Sequence, residues 1–437
     1  MTTSYTDIQC LFEQRKNNPL FNTSYPLSPD DWAKYSTQGA LTFDTSKPIA
    51  FYIHIPFCKQ ICSFCEYTKM CIPSKELQRN YFNALISDIE RFAERYHNIE
   101  IYGLDIGGGT PTSLDAGIFA GFTSWYKDFI SDKNLSSDFE PSIEGSFNTL
   151  IDDYWGSHRS CYIAKAGIKR LSLGVQSTSN DVLQPLHRKC ISLNEMREAM
   201  DNWHNLGIEK INLDLMYGLP GQTIETIQQD IETLRELNPE QVTVYEFRTN
   251  QIRDGYRINL GHCYEQYCEL YDGLIALGYY GVFGRNTFSR NPKDCGLSSY
   301  LRHRMFDGWQ YKGFGISAQS MSQFGISYNL GKNEAIGKLV SNDWLQDNNS
   351  SYEATQYYRL PQQELFGKFI AISGYSGGFS LSCAKEIFGL DFNSKYKRVI
   401  DFLIVRKFVE IHGDRIQITR EGFKNYGAIL SLFHTPE

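Results

Sequence analysis

The sequence lacks long apolar runs and an apolar leader. Across its 437 residues no apolar run reaches the roughly 18 residues that a membrane-spanning helix requires, so we expect no membrane span. The first residues, MTTSYTDIQCLFEQRKN, do not contain the apolar core of a secretory signal peptide. We therefore expect a cytoplasmic protein.

An excess of positive charge is also missing. The chain has 43 Lys and Arg residues against 50 Asp and Glu residues, which gives a formal charge of −7. Proteins that bind nucleic acid over a broad surface are usually basic. We therefore expect a small-molecule or protein partner and no nucleic-acid partner.

The cysteines do not have the pattern of a disulfide framework. There are 11 of them, an odd number, in a large chain without a visible export signal. Four of them lie close together: Cys58, Cys62 and Cys65 have a C-x₃-C-x₂-C spacing, and Cys71 follows. This density indicates a site for a metal or a metal cluster.

The spacing of the three leading cysteines favours an iron–sulfur cluster. Thiolates are the usual ligands of such clusters, and three thiolates leave one iron of a [4Fe–4S] cubane open. The amino and carboxylate groups of S-adenosylmethionine fit that iron, and one electron from the reduced cluster then gives a 5′-deoxyadenosyl radical. The alternatives are incidental thiols or a structural zinc site, which usually takes four ligands, often in two C-x₂-C pairs. Cys71 is either a fourth ligand, which would close the open iron, or a thiol without that role.

Short β-rich runs alternate with helical segments through much of the chain. Helical periodicity is clearest at 75–97, 114–131, 194–206 and 222–237. Strand, helix, strand at this spacing predicts parallel βαβ units. We therefore predict an α/β fold, a partial (β/α)6 TIM-like barrel, with strands at 49–55, 101–107, 142–147, 170–176, 210–218 and 241–247.

The predicted strands end in cysteine, glycine or polar residues. In parallel barrels the active site forms at the carboxyl ends of the strands, so we expect these residues to face one pocket. The run IGGGTPT (106–112) follows the second strand, and its glycines would let the backbone approach a ligand closely. It has neither the spacing of a dinucleotide site nor the lysine of a P-loop.

The remaining parts of the chain differ from the barrel. Residues 1–45 are polar and irregular, and we expect an N-terminal extension there. The barrel is expected over 46–335, with 312–325 closing its side. Residues 356–437 predict a winged-helix-like α+β domain of three helices and a hairpin that turns at Gly413–Asp414. Since this domain has no dense basic face, we expect a lid or docking role for it.

Together these motifs resemble the radical S-adenosylmethionine (radical SAM) superfamily, specifically the oxygen-independent coproporphyrinogen III oxidase family and its relatives. The resemblance covers roughly 45–330 well and 360–437 loosely, and it implies a [4Fe–4S] cluster and one or two molecules of S-adenosylmethionine. It also implies a one-electron donor of the flavodoxin or ferredoxin type. The motifs that carry it are FYIHIPFCKQICSFC, DIGGGTPT, GIKRLSLGVQS followed by LHRK, INLDLMYGLPGQT and KGFGISAQS.

The resemblance implies roles for single residues. Cys58, Cys62 and Cys65 would bind the cluster, and Tyr52 would approach a second S-adenosylmethionine. If these residues bound no cofactor, Glu144 and Asp214 would be strand-end carboxylates in an ion pair. Gln176 would be a hydrogen-bonded polar residue at the end of its strand, and Arg188 a surface charge. The residues that would line or hold the first S-adenosylmethionine are Gly108, Gly109, Thr110, Glu144, Gln176, Arg188 and Asp214.

Three features depart from the best-known branches of this family. The oxidase has a further cysteine two residues after the third ligand, where this chain has Tyr67. The run IEGSFNTL has no proline after its carboxylate. The run HRMFDGW (303–309) matches poorly the His-Asn-Arg-type motif of the haem-chaperone branch. The chain therefore resembles a divergent relative.

We predict a radical enzyme, coproporphyrinogen III oxidase-like, that acts on a tetrapyrrole or a similar unsaturated substrate. Methyl transfer, cyclopropane formation or haem opening with two S-adenosylmethionines is the alternative within that class. A haem carrier and a transcription-linked sensor are alternatives outside it. Guanidinium groups bind carboxylates bidentately. The candidates for that role, which are otherwise surface charges, are Arg248, Arg253, Arg285 and Arg302.

Overall fold

Six parallel strands form the centre of the molecule, and they neighbour one another in chain order. The computed structural model describes residues 5–17, 29–151, 159–247, 259–307, 310–341, 351–353, 355–374 and 376–433. The strands confirm the predicted βαβ units. They are β1 (Ile49–Ile55), β2 (Ile101–Gly108), β3 (Ser142–Gly145), β4 (Arg170–Gln176), β5 (Lys210–Tyr217) and β6 (Gln241–Glu246).

Helices connect these strands, and the long ones begin at capping side chains. Ser74 accepts a hydrogen bond from the Leu77 amide at 3.3 Å, and Asp115 caps the next long helix in the same way. Ser192 and Glu195 form a capping box. None of the described helices is long and apolar enough to cross a membrane. The helices are Lys75–Arg95, Ala116–Ile130, Phe147–Leu150, Arg159–Lys165, Asn180–Leu183, Leu193–Asn205 and Ile224–Leu237, with Leu260–Ala276 after β6.

The inner face of the sheet is polar. Along β4, Leu171 and Leu173 are fully buried in the hydrophobic core, whereas the alternate residues face the other side. Arg170 Nε donates to Gln241 Oε1 on β6 at 2.7 Å, and its Nη1 donates to Ser142 Oγ on β3 at 2.8 Å. Because β5 lies between β4 and β6, this reach requires a concave face. Polar side chains therefore line the interior of the barrel.

Further strands extend the sheet at both edges. Tyr311–Phe314 lies parallel to β1, so the segment 312–325 runs along the side of the barrel. Thr287–Ser289 lies antiparallel to β6 at the other edge. The described sheet is thus open, as expected for a partial barrel. Beyond Tyr311–Phe314 come the antiparallel strands Gln319–Ser322, Gly325–Tyr328, Gln356–Tyr358 and Ser36–Gln38.

The C-terminal part has the predicted winged-helix-like arrangement. Its helices are Gln362–Ser373, Leu381–Glu386 and Phe392–Val405, and Arg420–Phe423 and Tyr426–Ser431 follow its sheet. The hairpin turns at Gly413, whose φ of 59° suits glycine. The domain bounds 1–45, 46–335 and 356–437 stay a prediction. The three antiparallel strands lie in the order Gly378–Ser380, Arg415–Ile418 and Val409–His412.

The N-terminal segment differs from the irregular chain that we predicted. Tyr5–Asn17 is a helix of 13 residues. Phe12 is buried on it, and its ring centroid lies 5.7 Å from that of Phe402 and 5.2 Å from that of Phe408. A short helix gains most of its stability from tertiary packing, which the local sequence does not reveal.

Candidate functional site

The cysteine segment is a closed loop that begins where β1 ends. Its two ends, Phe57–Cys58 and Met70–Cys71, pair in parallel, and the Met70 amide donates to the Pro56 carbonyl at 2.8 Å. Of the three predicted ligands, the first is buried and the other two are partly exposed. The loop therefore presents three thiols at the carboxyl end of the sheet.

Two side chains from other elements donate to the cysteine sulfurs. Thr110 Oγ1 lies 3.7 Å from the sulfur of Cys58, and Arg188 Nη1 lies 3.4 Å from the sulfur of Cys62. Such hydrogen bonds favour the thiolate, which is the form that binds iron. In the free protein burial raises the pKa of Cys58 to about 11, against the hydrogen bond from Thr110. The thiols and their donors fit an iron–sulfur cluster.

Cys71 is exposed, on the strand that closes the loop. Among the described residues, no group of three or more His, Cys, Asp or Glu side chains is placed to hold one metal ion. A cubane spreads its thiolates over three irons, so they lie farther apart than the ligands of one zinc ion. This finding therefore concerns single-ion sites and leaves the cluster interpretation as it stands.

The glycine run lies against the cysteine loop. The Gly109 amide donates to the Ile55 carbonyl at 2.7 Å. A Cβ on Gly109 would lie 2.7 Å from the carbonyl carbon of Pro56. At Gly108, whose φ is 119°, a Cβ would lie 2.6 Å from the His54 ring. Close approach of a ligand to these glycines stays a prediction, and the structure shows close approach of the cysteine loop to Gly109 and of the His54 ring to Gly108.

His54 and Tyr52 on β1 secure the loop from another side. His54 Nε2 donates to the Thr68 carbonyl at 2.8 Å, and its Nδ1 lies 3.3 Å from the Tyr52 hydroxyl. Burial lowers the pKa of His54 to about 4, so the ring is neutral and Nδ1 accepts from that hydroxyl. The ring of Tyr52 stacks on Tyr300, with centroids 5.6 Å apart. Tyr52 therefore lies between the loop and the barrel interior.

The predicted carboxylates Glu144 and Asp214 both lie in the polar interior. Glu144 Oε2 accepts from the Gly108 amide at 3.0 Å. Asp214 accepts from Asn212 at 2.8 Å and from Ser172 at 3.4 Å. These hydrogen-bond partners are neutral donors, unlike the ion pair that was the alternative. Burial raises the pKa of Glu144 to about 7 and also raises that of Asp214.

Asp105 is a third interior carboxyl group, which we did not predict. Its Oδ2 accepts from Ser298 at 2.6 Å, and its Oδ1 has no hydrogen-bond partner among the described residues. Burial raises its pKa to about 7, against the charge of Arg170. The sequence signal that could have revealed Asp105 is a carboxylate inside the otherwise apolar strand run IYGLDIG. In the structure Asp105 lies opposite Tyr52 on β1.

Gln176 and Arg188 meet above Gly174 near the end of β4. Gln176 has a φ of 73° beside a register irregularity, and Arg188 donates to the Gly174 carbonyl. A Cβ at position 174 would lie 2.7 Å from Gln176 Nε2, so a larger residue there would displace the ends of the Gln176 and Arg188 side chains. A small open cleft adjoins this group, and its walls include Val175 and Met196.

The four arginines proposed for substrate carboxylates do not form one group in the described part of the chain. Arg302 pairs with Asp138 at 2.6 Å, and Arg285 lies 5.3 Å from the ring centre of Phe306. Arg248 and Arg253 lie outside the described residues. The cofactor candidates, in contrast, converge at the ends of β1 to β5.

The chain is similar to several known proteins. The family model described as the radical SAM superfamily matches residues 52–234. The haem chaperone HemW of Haemophilus influenzae is 32% identical over 89% of this chain and 99% of the relative. The oxygen-independent coproporphyrinogen III oxidase of Escherichia coli is 26% identical over 74% of this chain and 72% of the relative. The solved structure of the coproporphyrinogen III oxidase HemN from Escherichia coli has a TM-score of 0.70 at 22% identity, over 89% of this chain and 90% of that one.

These similarities confirm the predicted fold, a partial radical SAM barrel with a winged-helix-like part. The radical SAM superfamily uses a [4Fe–4S] cluster and S-adenosylmethionine, and these are the cofactors of this chain. The two relatives, a haem chaperone and a coproporphyrinogen III oxidase, represent the two branches from whose sequence motifs this chain departs. The chain belongs to the radical SAM superfamily, as a divergent member of the family that contains HemN and HemW.

Proposed function

We propose that the chain is a haem carrier that retains the cofactors of its family. The observation that carries this proposal is the match to a haem chaperone over 99% of that protein's length, against 72% for the oxidase of Escherichia coli. Tyr67 supports the same choice, because it is 65% exposed where the oxidase has a cysteine. This reverses the order of our sequence-based prediction, in which the carrier was the alternative.

In this proposal Cys58, Cys62 and Cys65 hold the [4Fe–4S] cluster. Thr110 and Arg188 donate to two of the ligand sulfurs, at 3.7 and 3.4 Å in the free protein. When bound, the cluster and S-adenosylmethionine supply the reductive cleavage of a sulfur–carbon bond. Because Cys71 is exposed on the closing strand, we assign it no ligand role.

We assign the first S-adenosylmethionine to the carboxyl ends of β2 to β5. The Glu144 carboxylate is suited to a ligand ammonium group, and the guanidinium of Arg188 to a ligand carboxylate. Gln176 and Asp214 provide polar groups for the hydroxyls of the ribose. Gly108, Gly109 and Thr110 form the wall beside the cysteine loop, and Tyr52 remains the candidate for a second S-adenosylmethionine.

The barrel interior is the proposed place for haem. Tyr52 and Tyr300 form a stacked pair there, and Tyr245 is close enough to Glu144 and Asp214 for their charges to raise its pKa, which burial raises most. Flat conjugated ligands pack well on such aromatic faces. A flavodoxin or ferredoxin would reduce the cluster.

A radical enzyme is the second candidate. Glu144 and Gln176 lie near the carboxyl ends of β3 and β4, and Asp214 lies within β5. A carrier has no evident need for so many polar groups suited to a cofactor. The substrate would then be a tetrapyrrole or a similar unsaturated molecule.

Haem titration of the anaerobically reconstituted protein tests the proposal. We expect a saturable change in the haem absorbance band at one haem per chain, retained after gel filtration. The Cys62→Ala variant should lose the cluster, whereas Cys71→Ala, a matched control in the same loop, should keep it. Absence of stoichiometric haem binding by the reconstituted wild type would refute the carrier function.

A further inference from the structure

Arg304 projects from an unusual turn at the side of the barrel. Helix Ser299–Arg302 continues into His303–Asp307, the one π-helical segment among the described residues. Such turns are rare, and they often occur at functional sites. Helix Gln362–Ser373 of the C-terminal part packs against this turn. The turn thus places Arg304 between the barrel and the C-terminal part.

The guanidinium of Arg304 is surrounded by tyrosines. It lies 4.5 Å from the ring centre of Tyr311 and 5.9 Å from that of Tyr300, and its Nη1 donates to the Tyr300 hydroxyl at 3.1 Å. Its Nε is buried without a hydrogen-bond partner, and no carboxylate within the described ranges pairs with the group. A half-buried cation without an anion is costly, which suggests that a ligand supplies the anion.

A neighbouring polar group also has no partner in the described part of the chain, namely the buried Oε1 of Gln319. The buried hydroxyl of Tyr311 lies beside the Arg304 guanidinium, which interacts with it. Tyr311–Phe314 and Gln319–Ser322 are adjacent strands. Gln319 lies opposite Tyr328 in the next strand, and Tyr328 is close enough to Arg304 for that charge to lower the pKa of Tyr328, which burial raises more. Buried polar atoms in native proteins normally have partners. Two unsatisfied atoms on adjoining elements, Arg304 Nε and Gln319 Oε1, therefore point to a polar ligand.

This group connects to the barrel interior through aromatic rings. Tyr300 stacks on Tyr52, and Tyr52 is near enough to Glu144 and Asp105 for both charges to raise its pKa, after burial. A flat molecule bound beside Tyr52 could thus extend a substituent past Tyr300 toward Arg304.

We propose that Arg304, with Tyr311 and Gln319, forms a subsite for a carboxylate of the molecule that binds in the barrel. The planar guanidinium matches a carboxylate, and the Tyr311 hydroxyl can donate to it as well. For the proposed carrier, on which the ligand's identity rests, the carboxylate is a propionate of haem. Of the four arginines chosen from the sequence, Arg285 also has a buried Nε without a partner among the described residues, but it lies over the ring of Phe306 and not among tyrosines at the side of the barrel.

Affinities for haem and for haem dimethyl ester test the subsite in the full-length protein. We expect wild type to prefer free haem by about tenfold, the usual size of a lost hydrogen bond to a charged group. Arg304→Met should weaken haem binding by a similar factor and leave ester binding unchanged, and Arg304→Lys should lie between. Arg95→Met is the matched control, since Arg95 also lies over a tyrosine, 5.5 Å from the ring centre of Tyr96, but is exposed. Equal haem-to-ester ratios in wild type and Arg304→Met would overturn the subsite.

A second measurement separates this inference from the haem proposal. Thermal unfolding is followed in sodium propionate and in sodium chloride of equal ionic strength. A rise in melting temperature with propionate that Arg304→Met loses and Arg95→Met keeps would support the subsite, even if wild type bound neither porphyrin. The same response in all three proteins would contradict it.

Discussion

At the scale of single residues, the barrel interior combines three carboxyl groups with one deeply buried guanidinium. The charge of Arg170, which is 3% exposed, acts on all three carboxyl groups and lowers their pKa values. These groups are Asp105, Glu144 and Asp214. Burial raises the pKa of Asp105 and of Glu144 to about 7, because a low-dielectric environment disfavours the charged form. Near neutral pH these two groups can therefore hold or release protons.

Asp105→Asn is expected to stabilise the protein more at high pH than at low pH. The folded-state pKa of Asp105 is raised from 3.8 to about 7, so the native state keeps a proton that the unfolded state has lost between these values. Stability of the wild type therefore falls as pH rises through this window, and the asparagine removes that loss. The gain in unfolding free energy should grow by about 2 kcal/mol between about pH 5 and about pH 8.

Urea denaturation at the two pH values measures this difference. Asp132→Asn is the control, because Asp132 is fully exposed and its replacement should add no gain that grows with pH. An equal effect of Asp105→Asn at both pH values would show that the carboxyl group is not buried as described.

At the scale of elements, the junction between β2 and the cysteine loop governs the cluster site. Gly109→Ala should displace the loop, because the alanine Cβ would lie 2.7 Å from the carbonyl carbon of Pro56. Relieving this clash requires the backbone to move, which costs free energy. We expect most of the iron to be lost after reconstitution, measured as iron and sulfide per chain. Gly121→Ala is the control, because a Cβ there meets nothing within 4 Å. Full iron content in Gly109→Ala would contradict the packing.

The N-terminal helix offers a second prediction at this scale. Phe12→Ala should destabilise the protein by about 3 kcal/mol, or release Tyr5–Asn17 locally, because the ring is buried against Phe402 and Phe408. Urea unfolding and limited proteolysis would detect either outcome. Gln14→Ala, an exposed change on the same helix, should have little effect. Unchanged stability and protease resistance in Phe12→Ala would show that the helix is not docked there.

The elements were predictable where the local pattern decides the structure. The bounds of β1 and β4 match the prediction, because runs such as RLSLGVQ alternate between core and interior. The predicted third strand is two residues too long, since the chain turns into Phe147–Leu150. Tyr5–Asn17 was missed because its stability comes from a distant part of the chain. Asp105 and Arg304 were missed for a related reason: their environments depend on curvature and on contacts between distant segments.

At the scale of the whole molecule, the cysteine loop follows β1, and the C-terminal part packs against the turn that carries Arg304. The residues that we assign to the cofactors lie on β1 to β5 and in the segments that follow these strands, and Arg304 lies beside the C-terminal helix Gln362–Ser373. With the proposed subsite at Arg304, the C-terminal part would lie beside the bound ligand. A flat acidic ligand could then contact both parts of the chain.

Anaerobic incubation of the reconstituted protein with haem, S-adenosylmethionine and a reductant tests the central claim most directly, with the tetrapyrrole and the nucleoside products identified by mass spectrometry. We predict that haem is recovered with its mass unchanged, at one molecule per chain. Conversion of the tetrapyrrole in step with formation of 5′-deoxyadenosine or S-adenosylhomocysteine would contradict the carrier function and establish the radical enzyme in its place.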